Sequence, residues 1–165
     1  MDALAALWVK NRDDLRRVNP SRHAHPLTLE VALQNARGAA TADVDNRRDY
    51  VIMRDGQIAG DLGISGIIRW PMHCANVGLF VDAELRGEGI GRAAIDLACE
   101  LAFGELELHR LEAGAQPSNV ASLGMLRRAR FTEIGLAPRF LFVDGAWRDH
   151  ILFQKLAPNS ERAAG

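Results

Sequence analysis

Three alternate glycines, Gly87, Gly89 and Gly91, lie in the stretch Val77-Gly78-Leu79-Phe80-Val81-Asp82-Ala83-Glu84-Leu85-Arg86-Gly87-Glu88-Gly89-Ile90-Gly91-Arg92-Ala93-Ala94, between an apolar run and a helical pattern. Where a strand passes into a helix, removing side chains lets main-chain amides converge on an anion, and the helix dipole adds to their pull. The chemistry that suits such a turn is the cradling of a pyrophosphate. Arg86 and Arg92 flank it and can neutralise phosphate oxygens, although each can equally be a solvated surface charge. Two commoner nucleotide motifs fail at definite positions. A dinucleotide fold needs glycine where Arg92 stands, and a Walker loop needs Lys followed by Ser or Thr where Arg92 and Ala93 stand. The bland alternative is a turn that merely caps a helix.

The elements that must hold this turn can be read around it. Leu4, Leu7, Trp8, Leu15 and Val18 fall close to helical spacing, which predicts a first amphipathic helix from Asp2 to about Val18. A loop over Asn19 to Pro26, a candidate lid, then leads to a second helix opened by Thr28 and running to about Ala40. From Tyr50 the period changes to two. Asp55-Gly56 predicts a hairpin, and Gly60, Gly63 and Gly66 on its second strand, about Gln57 to Arg69, suggest bulges or close backbone approach. A short strand over Cys74 to Val81 enters the glycine turn, and a helix over Ile90 to Phe103 leaves it, with Ile95, Leu97, Ala98, Leu101 and Ala102 as its buried face. A strand at Arg110 to Ala115, a helix at Asn119 to Ala129 and a closing hairpin around Asp144-Gly145 complete a single domain over residues 1–157, followed by a polar tail at 158–165.

Composition narrows the partners. Lys plus Arg number 20 and Asp plus Glu 21, so bulk charge gives no reason to expect nucleic acid or a membrane surface, and any anion must be held locally. Cys74 and Cys99 have no metal-ligand spacing, which predicts packed thiols, no metal and a reducing compartment; no apolar run approaches a membrane span, so the expected location is cytoplasmic.

The run Arg86-x-x-Gly89-x-Gly91 after an acidic-ended strand resembles the acetyl-CoA loop of the GNAT acyltransferases, Q/R-x-x-G-x-G/A. Asn119-Val120-Ala121-Ser122, followed by Leu126 and Arg130-Phe131, resembles the family's Asn-x-x-Ser helix and the Gly-Phe start of its next strand, with Arg130 in the glycine's place. The segment from Leu141 to His150 is similar to the ending of the RimJ/RimL type, the ribosomal-protein alanine N-acetyltransferases. This resemblance spans Asn11 to Leu156. It implies an α/β (α+β) GNAT fold, with a mixed, mostly antiparallel central sheet splayed between its fourth and fifth strands and flanked by helices. The family's usual opening strand is not visible before the first helix; either that strand is missing or the start is late.

By the same resemblance, backbone amides around Leu79 to Val81 polarise a thioester carbonyl while those of Gly87, Gly89 and Gly91 bind the pyrophosphate of acetyl-CoA. Many members protonate the leaving thiolate with a tyrosine on the helix after the fifth strand. The only tyrosine here, Tyr50, begins an earlier strand. Ser122 is the remaining donor in that segment, with Asn119 holding the pantetheine arm or a water; the alternative is an N-cap and a first-turn serine. Glu84 and Asp82 are the acids nearest the expected thioester, but an exposed carboxylate of ordinary pKa takes an ammonium proton poorly. His73 and His150 are the other titratable candidates, each equally a packed or surface histidine, and Trp70, Trp147 and Phe140 can line an acceptor cleft or serve the core. The activity implied is acyl transfer from acetyl-CoA to a primary amine. A protein N-terminal α-amine leads as acceptor, with a small amine metabolite or antibiotic as the alternative. A non-catalytic CoA-binding regulatory domain and a nucleotide-binding domain are the competing classes, and the assembly is open, a homodimer included.

Overall fold

The computed structural model describes residues 2–18, 43 and 45–158. The helix expected at Thr28 to Ala40, the loop over Asn19 to Pro26 and the tail after Pro158 lie outside the described residues.

The amphipathic pattern at the N-terminus forms two short helices, α1 (Asp2–Lys10) and α2 (Arg12–Val18), instead of one. The break falls at Asn11, whose side chain is buried and competes for main-chain groups. Its Nδ2 donates to the Leu7 carbonyl at 3.0 Å and to Asp82 Oδ1 at 3.1 Å, and its Oδ1 accepts from the Ala83 N–H at 3.0 Å. One polar residue thereby ties the helix pair to the far end of a strand.

The described strands form one six-stranded sheet: β1 (Arg47–Arg54), β2 (Gln57–Ile68), β3 (Cys74–Val81), β4 (Arg110–Ala115), β5 (Thr132–Val143) and β6 (Ala146–Leu156), in the order β1-β2-β3-β4-β6-β5. All neighbours are antiparallel except β3 and β4. No strand precedes α1 among the described residues, so the family's fourth and fifth strands correspond to β3 and β4 here. Both Asp-Gly hairpins fold as expected, with positive φ at Asp55 (49°), Gly56 (79°), Asp144 (48°) and Gly145 (74°). The glycines of β2 also behave as expected: a side chain at Gly60 would strike the Phe80 carbonyl, and Gly66, at φ 63°, sits in the register shift between Ser65 and Ile68.

On one face of the sheet lie α3 (Ile90–Glu100) and α4 (Val120–Arg128). They bury Ala94, Ile95, Ala98, Leu123 and Leu126 with Leu62, Ile64, Leu111 and Phe153 of the strands in the main core. Cys74 and Cys99 are buried free thiols, and burial pushes both upward from the ordinary thiol range. Two expectations for α3 are corrected. Leu97 is 58% exposed, because the buried stripe runs through Ala94, Ile95, Ala98 and Cys99, and the helix ends in a π turn over Leu101–Glu105 closed by the Leu106 N–H to the Leu101 carbonyl at 2.9 Å. On the opposite face α1 and α2 bury Leu4, Leu7, Trp8 and Leu15 against Phe80 in a smaller cluster.

Candidate active site

Parallel pairing of β3 and β4 covers only Cys74 to Asn76 against Arg110 to Glu112. Beyond Asn76 the strands part. On its other edge β3 stays zipped to β2 up to Val81 opposite Gly60, and the Asp82 N–H reaches the Ala59 carbonyl at 2.8 Å. Main-chain groups alternate sides along an extended strand, so Phe80 and Gly78 point to β2 while Leu79 and Val81 point their N–H groups into the gap. This is the splay expected from the sequence, and it leaves two donors unclaimed by sheet pairing.

The glycine turn opens directly from that gap. Gly87 and Gly89 adopt φ of 83° and 82°, a region costly for any side chain, and a Cβ at either would meet nothing within 4 Å. Gly89 is the N-cap of α3, no side chain caps the helix, and the first intrahelical bond is Ala93 N–H to the Gly89 carbonyl at 3.0 Å. The amides of the first turn are therefore open to an anion. Gly91 has a different reason: its Cβ would lie 3.2 Å from Met125 Sδ and 3.8 Å from both Leu79 Cδ1 and Val81 Cγ2, so glycine there lets α3 approach β3 and α4. The turn is not plugged by its own side chains, and the residues fit a pyrophosphate.

The two arginines are more tied down than the sequence suggested. Arg86 donates from Nη1 to Asp14 Oδ2 at 2.8 Å and from Nε to the Val81 carbonyl at 3.3 Å. Arg92 pairs with Asp96 at 2.7 Å and donates from Nη1 to the Arg128 carbonyl, clamping the start of α3 to the end of α4. Their charges lie beside the turn, but a phosphate would have to compete with these partners.

A cavity of about 330 Å³ occupies the splay. Asn119, Ser122 and Met125 line its α4 side, Leu79 lines it from β3, and Gly63, Gly78 and Gly114, from three adjacent strands, also line it. Asn119 caps α4 by accepting from the Ser122 N–H at 3.2 Å, which leaves the half-buried Ser122 hydroxyl at the cavity wall. Of the aromatic candidates, Phe140 lines the cavity; Trp70 and Trp147 do not, and are 82% and 61% exposed. A second, larger groove of about 820 Å³ runs between β1 and α3; Glu88 in it is paired with Arg54, and Glu100 and Glu105 also line it.

Glu84 stands apart from the cavity. It does not line the cavity, its side chain is 74% exposed, and it is paired with Lys10 at 2.7 Å on the α1 side of the turn. Asp82 is buried beside it and serves as a cap: Oδ2 accepts from Lys10 at 2.8 Å, and Oδ1 from Asn11 and from the Glu84 N–H at 3.3 Å. Burial alone would raise the Asp82 pKa, but the hydrogen bonds from Lys10, Asn11 and Glu84 outweigh it and hold the carboxylate below its ordinary range. The sequence reading missed Asp61, which is buried, lines the cavity and accepts from Trp8 Nε1. The alternation Asp61-x-Gly63-x-Ser65 on one strand face was the available signal. His150, one titratable candidate among several in the sequence, is 3% exposed and lines the same cavity; His73 does not line it.

The acetyltransferase (GNAT) domain model matches residues 1–132. The chain belongs to this family. It is 36% identical over 108 residues to the probable N-acetyltransferase YjcK of Bacillus subtilis, a match covering 66% of this chain and 60% of YjcK. It is 29% identical over 103 residues to the [ribosomal protein uS5]-alanine N-acetyltransferase of Escherichia coli, covering 62% of this chain and 53% of that protein. The match thus spans little more than half the length of these curated relatives. Among solved structures, Mycobacterium smegmatis RimJ in complex with CoA-disulfide superposes with a TM-score of 0.86 at 28% identity, over 99% of this chain and 79% of that one. The splay between β3 and β4 and the glycine turn both lie within the residues that the family model matches.

Proposed function

We propose that the chain transfers an acetyl group from acetyl-CoA to a primary amine, with a protein N-terminal α-amine as the acceptor. The observation that carries this reading is the register of β3 and β4, which ends at Asn76 and Glu112 and turns the Leu79 and Val81 N–H groups into a gap beside the uncapped start of α3. A CoA pyrophosphate sits on the amides of Gly87, Gly89 and Gly91, with Arg86 and Arg92 adjacent. The thioester enters the gap, where its carbonyl oxygen accepts from Leu79 and Val81, donors fixed before the negative charge develops on that oxygen. The neutral amine attacks the carbonyl carbon. The C–N bond forms and the C–S bond breaks; the nitrogen gives up its extra proton and the thiolate gains one, with Ser122 as the donor at the cavity wall and Asn119 holding the pantetheine side. The protein acceptor is favoured by the Escherichia coli relative, named as an alanine N-acetyltransferase of ribosomal protein uS5.

Calorimetric titration with acetyl-CoA tests the cofactor half of this reading. Gly89→Glu places both a strained side chain and a negative charge at the anion site, and should weaken binding about tenfold or more, about 1.4 kcal/mol. Gly145→Glu, at a comparable φ of 74° in a remote hairpin, controls for strain and should bind normally. Equal affinity in wild type and Gly89→Glu would falsify the site.

A further inference from the structure

We propose that His150 is the base that takes the proton from the acceptor amine. This inference rests on the acyl-transfer reading and adds to it a proton acceptor that lines the cavity, as Glu84 does not. His150 stands on β6, beside β4, and is 3% exposed yet lines the cavity that also meets Ser122 and Asn119. Its Nδ1 is 3.1 Å from the Arg148 carbonyl, an oxygen that can only accept, so in the neutral ring this contact favours the hydrogen on Nδ1 and the lone pair on Nε2. The Phe140 ring, 5.8 Å away, flanks the imidazole. On the β4 side the Cδ2 corner, next to Nε2, lies over Gly114, where a Cβ would come within 3.8 Å of it. No protein partner engages Nε2 among the described hydrogen bonds, so a buried acceptor atom is left for something in the cavity.

The other charged residues lining the cavity are already committed. Asp61 accepts from Trp8 Nε1 and lies in the field of Arg47, whose Nη2 donates to Asp49 Oδ1 at 2.8 Å. Beside these the wall is made of apolar, amide and hydroxyl groups, none of which takes a proton from an ammonium. Of the glycines lining the cavity, Gly78 leaves open space for an amine-bearing chain, since a Cβ there would meet nothing within 4 Å. In the step itself the ammonium gives one proton to His150 Nε2 and becomes the nucleophile. After attack Ser122 gives its proton to the thiolate and regains one from the nitrogen, and His150 returns its proton to solvent, so that the amide and free CoA thiol are the net products.

The test measures thiol release with acetyl-CoA and a peptide beginning in unblocked alanine, alongside calorimetric acetyl-CoA affinity and thermal melting. His150→Asn keeps an amide N–H that can reach the Arg148 carbonyl but has no basic nitrogen. It should bind acetyl-CoA within about twofold of wild type and lose about 10²–10⁴ in kcat/KM. In His150→Ala, added imidazole should restore part of the rate, because the vacated space lies beside Gly114. A folded His150→Asn with turnover within about threefold of wild type overturns the proposal, as does a folded His150→Ala that binds acetyl-CoA and gains nothing from imidazole. Wild-type protein that binds acetyl-CoA yet releases no thiol with alanine-, serine- or glycine-terminated peptides or with spermidine overturns the acyl-transfer reading itself, and His150's role with it.

Discussion

The two faces of the sheet are built on different terms. Under α3 and α4 every buried residue of the main cluster is apolar or a thiol, from Leu62 and Ile64 on β2 to Leu123 and Leu126 on α4. Among the described residues the buried polar or charged side chains, Asn11, Asp61, Asp82 and His150, belong instead to the side where α1 and α2 pack or to the cavity beside it. That side has a small apolar cluster that Phe80 of β3 joins, and Asp82, just past the end of β3, adds polar contacts with Lys10 and Asn11. Close-packed hydrocarbon holds the first face, where a lost methylene is felt at once. The second holds polar groups at defined distances, which costs stability unless each is satisfied, and that is the arrangement a site for charged substrates requires.

The difference can be broken most severely at Phe153, which is fully buried in the main cluster. Phe153→Ala should cost about 3–5 kcal/mol, a fall in Tm of roughly 6–20 °C. Acetyl-CoA affinity of the protein that remains folded should stay within a fewfold of wild type. Scanning calorimetry followed by titration at a temperature well below the lowered Tm checks both halves; a loss of affinity without a loss of Tm would show that the two faces are not separable.

Asp82 sharpens the contrast from the other side. Replacing it with Asn removes charge-assisted bonds from Lys10 and Asn11 and should cost about 1.5–3 kcal/mol at neutral pH. Because the folded-state pKa lies below the unfolded carboxylate value of about 3.9, the contribution is complete above that value and is lost as pH falls through the folded one. The gap in Tm between wild type and Asp82→Asn should therefore be constant from neutral pH to about pH 5 and close below about pH 4. A gap that instead widens in acid would mean that Asp82 is held by something other than its charge.

The same division explains what could be read in advance. Periodicity and turn chemistry are local, so both Asp-Gly hairpins, the strand at Cys74 to Val81 and the helix opening after Gly89 were legible, and the glycine turn was legible because backbone conformation demands glycine there. Asn11 broke a helix that periodicity ran through, because its partners lie about seventy residues away on the end of β3. Glu84 looked like a base through nearness in sequence, but a single turn of 3₁₀ helix over Ala83–Leu85 carries it outward to Lys10. Asp61 and His150 could not be ranked from the chain, since their burial depends on Trp8, Phe140 and the parting of β3 from β4. The packed face was visible as pattern; the site face exists only once distant segments meet.

Arg130 tests whether strain on the packed face has anything to do with the site. It follows the C-cap Ala129 at φ 62°, with its N–H bonded to the Arg127 carbonyl and the Phe131 N–H to the Leu126 carbonyl, each at 3.0 Å. That is a Schellman closure with arginine in the left-handed position glycine normally takes. An L side chain there costs about 1–2 kcal/mol, part of which glycine gives back in unfolded-state entropy. Arg130→Gly should therefore stabilise the protein by about 1 kcal/mol, a rise in Tm of roughly 2–4 °C, with acetyl-CoA affinity and turnover unchanged. If stability rises and turnover falls together, the turn is strained on behalf of the reaction, and the separation of the two faces fails at Arg130.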